Sequence, residues 1–119
     1  MVASSTAAAA YSASKAALLS LGKSVVLEYA ALSLRVVTVS PGLTATLIWL
    51  GDEGAAVQIA SLTGGSPDDI ADEVVASIPI MRFLRPEETG ATICILASTR
   101  ASGITGTEVV VDGGLIPTI

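Results

Sequence analysis

The chain has no histidine and a single cysteine, Cys94, in 119 residues. Those two shortages exclude whole classes of chemistry. A Ser–His triad and a Cys–His nucleophile both need an imidazole, and a structural zinc site needs several thiolate or imidazole ligands. One thiol forms no disulfide within a chain, which fits a reducing compartment, so a cytoplasmic location is expected. Aromatic residues make up 3% of the sequence and charged residues 14%. The six Lys and Arg residues are scattered and outnumbered by eleven Asp and Glu, for a net charge of −5. Phosphate backbones and anionic membranes are gripped by clustered positive charge, so neither nucleic acid nor membrane is an expected partner. The longest largely apolar stretch, residues 16–34, is interrupted by Lys23, Glu28 and small polar residues, too mixed for a membrane span. The opening Met1-Val2-Ala3-Ser4-Ser5-Thr6 lacks the basic head of a secretory signal.

What the chain has is aliphatic. Half of it, 51%, is hydrophobic, mostly Ala, Val, Leu and Ile. That mixture suits parallel strands buried on both faces under closely packed helices. Ser4, Ser5 and Thr6 offer hydroxyls for a helix cap. Residues 11–32 then read as one long alanine-rich helix. Leu18, Leu21, Val25, Val26 and Tyr29 recur largely at spacings of three and four, predicting one apolar stripe. Leu34-Arg35-Val36-Val37-Thr38-Val39-Ser40 is a β-branched run stopped by Pro41-Gly42, a buried strand ending in a loop. Residues 43–65 resist assignment beyond a short helix near 55–62. Ser66-Pro67-Asp68-Asp69 combines a hydroxyl cap, a first-turn proline and two carboxylates at the positive helix end. The helix it opens should stop before Pro79. Arg85-Pro86-Glu87-Glu88 opens another, reaching about residue 98. Glu108-Val109-Val110-Val111 forms a second strand, closed by a turn at Asp112-Gly113-Gly114 whose glycines permit a tight path.

Helix, strand, helices, strand is an α/β order. About two strands with three or four helices leave a sheet edge uncovered, so the chain reads as part of a larger sheet. Cys94 is expected in the core, on the apolar face of the last helix. Asp68, Asp69, Asp72 and Glu73 read as a solvated helix start rather than a metal site. Trp49 is open between contact with a substrate and ordinary packing.

Tyr11 and Lys15 stand four apart on the first helix, so their side chains share a face. A free tyrosine titrates near ~10 and is a poor base at neutral pH. A nearby ammonium favours the phenolate, so such a tyrosine can exchange a proton with a substrate hydroxyl or carbonyl. Taken alone, the spacing also describes an ordinary surface pair on a helix.

Tyr11-Ser12-Ala13-Ser14-Lys15-Ala16-Ala17-Leu18 closely resembles the active-site helix of the short-chain dehydrogenase/reductase family. Val36-Val37-Thr38-Val39-Ser40-Pro41-Gly42 looks like that family's next strand and its Pro-Gly loop, with Thr38 where many members have asparagine. Thr46 follows where members place a threonine near the nicotinamide. Pro79-Ile80-Met81-Arg82-Phe83 with Pro86-Glu87-Glu88 resembles the lead into the last long helix. Ser98 to Gly114, with Ile104-Thr105-Gly106 inside it, matches the closing segment. These matches run in family order over residues 11–114.

The resemblance implies the C-terminal portion of a Rossmann-like doubly wound parallel sheet. It implies NAD(P)-dependent carbonyl reduction or alcohol oxidation, similar in flavour to oxoacyl-thioester reductases and sugar or polyol dehydrogenases. Tyr11 would donate or accept the proton, Lys15 would lower its pKa and hold the nicotinamide ribose, and Pro41, Gly42 and Thr46 would line the nicotinamide pocket. No metal is implied. Three family features have no counterpart in residues 1–119. These are the glycine-rich turn that holds the pyrophosphate at a helix N-terminus, the substrate-holding serine on the preceding strand, and the asparagine of the proton relay. Ser4 and Ser5 lie too near Tyr11 to replace that serine. The expectation is therefore a C-terminal half spanning 1–119, without the dinucleotide-binding half and inactive alone. It would pair with a complementary half or form a homo-oligomer. The alternative is a non-catalytic binding or oligomerisation module, since the long helix and the last helix and strand resemble subunit surfaces of the family.

Overall fold

The computed structural model describes residues 6–117, with side chains from residue 9 onward. Ser4 and Ser5 lie outside the described residues. The elements are α1 (Thr6–Tyr29), a 3-10 turn (Ala30–Leu32), β1 (Val37–Pro41), α2 (Leu47–Leu50), α3 (Ala55–Thr63), α4 (Pro67–Ala76), α5 (Pro86–Ala97), a second 3-10 turn (Thr99–Ala101) and β2 (Thr107–Val111). No described helix is long and apolar enough to cross a membrane. The described residues form two compact units: residues up to 38 with 96–109, and residues 39–95 with those from 110 on.

β1 and β2 pair in a two-stranded sheet. Gly106 N–H donates to the Val36 carbonyl at 2.8 Å, and Gly42 N–H donates to the Val111 carbonyl at 2.8 Å. The partners rise together along both strands, so the pairing is parallel. Parallel neighbours need a long crossover, and the intervening helices supply it.

In the first unit, α1 begins at Thr6, earlier than the periodicity predicts, because the alanines before Tyr11 are the best helix formers. It ends at Tyr29, and the chain turns through Ser33 in a left-handed conformation, φ 62°. The residues α1 half-buries are Leu19, Gly22, Val25 and Val26. The predicted stripe is therefore only partly correct, since Leu18 and Leu21 are 56% and 58% exposed and Tyr29 is exposed as well. The helix instead turns Gly22 toward β1, where a Cβ would be in ordinary contact, 3.6 Å from both Thr38 Oγ1 and Val36 Cγ1. Gly106, at φ 70°, meets Val26 in the same way.

Arg35 ties this unit together. Its guanidinium donates to the carbonyls of Ala101 at 3.0 Å, Ile104 at 3.1 Å, and Ala97 and Ser98 at 3.4 Å. Two of these acceptors belong to the C-terminal end of α5, whose last carbonyls have no intrahelical donor.

In the second unit, α3 packs on α4. Ala56, Ala60, Ile78 and Leu84 form its buried core. Ser66 caps α4 as its sequence predicts, its hydroxyl oxygen accepting from Asp69 N–H at 3.1 Å. α2 is one turn held by glycines. A Cβ on Gly51 would lie 2.6 Å from the Leu47 carbonyl oxygen, and one on Gly54 2.7 Å from that of Trp49. Trp49 packs against Phe83, ring centres 6.0 Å apart. Cys94 is exposed, contrary to the expectation of a core position. α5 turns Thr89 and Thr92 inward and leaves Ile93, Cys94 and Ile95 out. Leu96 is buried on the same face as the half-buried Thr89 and Thr92, so the packed side of α5 mixes small polar residues with one large aliphatic.

The start of α5 is fixed by Glu88. Arg82 donates to both its carboxylate oxygens at 2.8 Å, and Arg85 N–H donates to Oε2 at 2.7 Å. The second contact is half of a capping box. Together, the Arg82 hydrogen bond foremost, they lower the Glu88 carboxyl from its ordinary 4.5 to about 2.

Two predictions follow from these ties. Arg35→Ala should destabilise the chain by roughly 1–3 kcal/mol in urea denaturation, since it strips a charged donor from four carbonyls. Glu88 has a depressed folded pKa, so its contribution is present above the unfolded value of 4.5 and lost as pH falls toward about 2. The urea midpoint of the wild type should fall toward that of Glu88→Gln across this window, and the gap between them should stay constant above it.

Candidate active site

Tyr11 and Lys15 lie one turn apart on α1, and the Lys15 ammonium nitrogen is 5.3 Å from the centre of the Tyr11 ring. That is within reach of a cation–π interaction. Ser14, between them in sequence, donates its hydroxyl to the Tyr11 carbonyl at 2.7 Å. Tyr11 is 64% exposed and Lys15 is exposed. At 3.6 residues per turn, Tyr11, Lys15, Gly22 and Val25 fall within an arc of about 80°. The pair therefore stands on the same side of α1 that seats on β1 through Gly22. Both side chains carry mobile donors, an ammonium and a phenol, and neither has a hydrogen-bond partner among the described residues.

Pro41, Gly42 and Thr46 belong to the second unit, at the C-terminal end of β1. Pro41 closes the strand and is exposed. The loop after it is held by its own hydrogen bonds. Thr44 Oγ1 donates to the Gly42 carbonyl at 3.0 Å, and Thr46 N–H donates to the Thr44 carbonyl at 2.8 Å. A parallel bridge pairs Thr44 with Leu84, with Ala45 N–H donating to the Leu84 carbonyl at 2.8 Å. Thr46 is extended and half-buried, and its carbonyl accepts the first hydrogen bonds of α2 from Trp49 and Leu50. Its hydroxyl reaches the Thr44 carbonyl only at 3.4 Å, a long contact that leaves it free to turn toward a ligand.

Gly42 is where no side chain fits. A Cβ there would stand 2.6 Å from Asp112 Cβ and 2.7 Å from its Cα. Asp112 is buried at 8% exposure, and its two carboxylate oxygens accept from Gly114 N–H and Ile116 N–H, each at 2.8 Å. Gly113 and Gly114 take positive φ, 68° and 85°, as their predicted turn requires. Sequence reading identified the turn but not its contact with Gly42, which lies 70 positions away. The signal available was the Asp-Gly-Gly run itself.

The family described as enoyl-(acyl carrier protein) reductase matches residues 1–116. Among curated relatives, 2,3-dihydro-2,3-dihydroxybenzoate dehydrogenase of Escherichia coli is 40% identical over 109 residues, covering 88% of this chain and 41% of that protein. A short-chain dehydrogenase family protein from Francisella tularensis superposes with a TM-score of 0.83 at 27% identity, over 96% of this chain and 46% of that one. L-sorbose reductase from Gluconobacter frateurii, solved with NADPH and L-sorbose, superposes with a TM-score of 0.81 at 32% identity, over 92% of this chain and 41% of that one. The chain belongs to the short-chain dehydrogenase/reductase family.

Its α/β arrangement with a parallel strand pair is accordingly part of a Rossmann fold, and the family is one of oxidoreductases. This short-chain dehydrogenase/reductase chain spans about two fifths of the length of the curated relative it matches. Each unit by itself carries donors of a kind a nicotinamide cofactor accepts: an ammonium and a phenol in the first can meet ribose hydroxyls, and a threonine hydroxyl in the second can meet a carboxamide.

Gly42→Ala should destabilise the chain by about 1–3 kcal/mol in urea denaturation, because its methyl meets Asp112 backbone rather than a flexible side-chain end.

Proposed function

We propose that this chain carries the proton-transfer and nicotinamide-binding part of an NAD(P)-dependent reductase or dehydrogenase acting on a small carbonyl or alcohol. The observation that carries the proposal is the Tyr11–Lys15 pair, one helical turn apart with the ammonium over the ring, in a chain of this family. A bound nicotinamide supplies or takes the hydride. In the reduction direction the substrate carbonyl carbon gains that hydride while Tyr11 gives its phenolic proton to the carbonyl oxygen. The C=O π bond breaks, new C–H and O–H bonds form, and the substrate is reduced. Lys15 opposes the negative charge left on the Tyr11 oxygen and donates to the nicotinamide ribose. Pro41 and Gly42 would border the ring, and the Thr46 hydroxyl is available to its carboxamide.

The proposal extends to where the chain would act. Residues 1–119 contain no glycine-rich turn that could grip a pyrophosphate, so turnover is proposed to need such a turn from outside this segment, whether in the same chain or another. The single thiol favours a cytoplasmic setting. A second reading, a non-catalytic oligomerisation module, is favoured by the exposed apolar residues Leu18, Leu21 and Leu27 on α1 and Ile93 and Ile95 on α5.

Titration with NADH, NADPH and reduced nicotinamide mononucleotide, followed by nicotinamide fluorescence with circular dichroism as the folding control, tests these readings. The catalytic reading expects saturable binding near the millimolar range by the chain alone, weakened about tenfold or more by Lys15→Ala. It also expects carbonyl reduction on adding the N-terminal half of the Escherichia coli relative, lowered about 10²–10⁴-fold by Tyr11→Phe. A folded, stable oligomer that binds no nicotinamide would overturn it in favour of the second reading.

A further inference from the structure

Asp112 takes no part in the proton transfer just described, yet it is the one charged side chain buried among the described residues. Its surroundings are specific. The carboxylate spans the closing turn, Oδ1 accepting from Gly114 N–H and Oδ2 from Ile116 N–H, both at 2.8 Å. Its Cα and Cβ fill the space where Gly42 would carry a side chain. One residue earlier, the Val111 carbonyl accepts from Gly42 N–H at 2.8 Å. The turn is braced from the other side by Ile80 N–H, which donates to the Gly113 carbonyl at 3.3 Å, and by Ile80 and Ile78 side chains against Gly113.

We infer that Asp112 is a positioning residue for the nicotinamide loop, an inference that rests on the proposed function. The chain of contacts is short. The carboxylate fixes the turn, the turn presses the Asp112 backbone onto Gly42, and Gly42 anchors the loop whose next hydrogen bonds run through Thr44 to Thr46. An ionised carboxylate suits this task because it is an acceptor at both oxygens and can hold two N–H groups at once. Asparagine has the same shape but offers one acceptor oxygen and an NH₂ that meets the other N–H donor to donor. Asp112→Asn therefore alters the turn without opening a cavity.

Backbone amide exchange by NMR reads the effect directly and needs no cofactor. In Asp112→Asn, the amides of Gly42, Ala45 and Thr46 should exchange about tenfold faster or more, beyond any change in global stability. Asp112→Ala should release them further. Glu88→Gln, which loosens a different part of the same unit, should leave their exchange in step with global stability. Alongside this, reduced nicotinamide mononucleotide should bind Asp112→Asn about fivefold to tenfold more weakly than the wild type. Wild-type exchange rates at Gly42, Ala45 and Thr46 in folded Asp112→Asn would overturn the inference whatever the nicotinamide result, and this variant decides the matter if Asp112→Ala does not fold. Released amides with unchanged nucleotide affinity would overturn it too, leaving Asp112 a residue of the turn only. Released amides in a protein whose wild type binds no nicotinamide would overturn the proposed function, and the positioning role with it.

Discussion

The close approach of Gly42 to Asp112 is the constraint on which the exit of β1 depends. Two other glycines face packed neighbours at ordinary distances, Gly22 on α1 opposite Val36 and Thr38 and Gly106 at the entry to β2 opposite Val26. Each sits at or beside a strand of the only sheet among the described residues. A side chain at Gly42 would displace backbone, whereas methyls at Gly22 and Gly106 would fall at or just inside ordinary contact distance, with Gly106 further constrained by its positive φ. The three positions are therefore unequal. Gly22 has room for a methyl, Gly106 is held to glycine by its positive φ, and Gly42 decides whether the strand's exit can exist in this form at all.

Two kinds of fixing follow, suited to two kinds of chemistry. The Pro41–Thr46 segment is stiff, with backbone and hydroxyl hydrogen bonds at nearly every step and a buried carboxylate behind it. On the proposed function, a flat ring would be recognised by a surface that does not move, and stiffness there would serve binding. Tyr11 and Lys15 are fixed differently. Their side chains are exposed and, among the described residues, in contact with one another. On the proposed function, a phenol that gives and regains a proton is better left with few partners, because each strong hydrogen bond to it would have to be broken or reversed in the reaction.

The legible part of the fold was the part written in neighbouring residues. Ser66-Pro67-Asp68-Asp69 announced α4, Arg85-Pro86-Glu87-Glu88 announced α5, and Asp112-Gly113-Gly114 announced its turn, because caps and turns are made by residues within four positions of each other. The strands were legible to within a few residues for the same reason. What the sequence concealed was long-range. Arg35 meets carbonyls 62 to 69 positions away, and no local pattern marks a lone arginine at a strand entrance as their donor. α2 was hidden because one turn gives no period to read. The side of α1 that packs differs from the expected stripe because periodicity weighs large apolar residues, while the half-buried face runs through Leu19, Gly22, Val25 and Val26. Cys94 lies outside for a like reason, since Thr89, Thr92 and Leu96 mark the inward side of α5. For the site, the Tyr11–Lys15 pairing was legible from a spacing of four and the geometry of a helix. The roles of Pro41, Gly42 and Thr46 rested on resemblance, and the structure adds what that resemblance lacked, a physical reason why position 42 must be glycine.

That reason bears on how the site is distributed along the chain. Gly42 and Asp112 lie at the exits of adjacent parallel strands, so their contact joins the first and last strands of the described sequence. Parallel pairing brings like ends together, and the crossover between them holds most of the second unit, α2 through α5. A change in the crossover that shifted β2 by one residue would remove Asp112 from Gly42 and reverse which side chains of β2 face each side of the sheet. The loop after β1 is thus sensitive to the register of a strand more than sixty residues later, although no residue of β2 itself need touch a ligand. On the proposed function the sheet would thereby be part of the binding apparatus, because it decides which backbone the loop after β1 leans on.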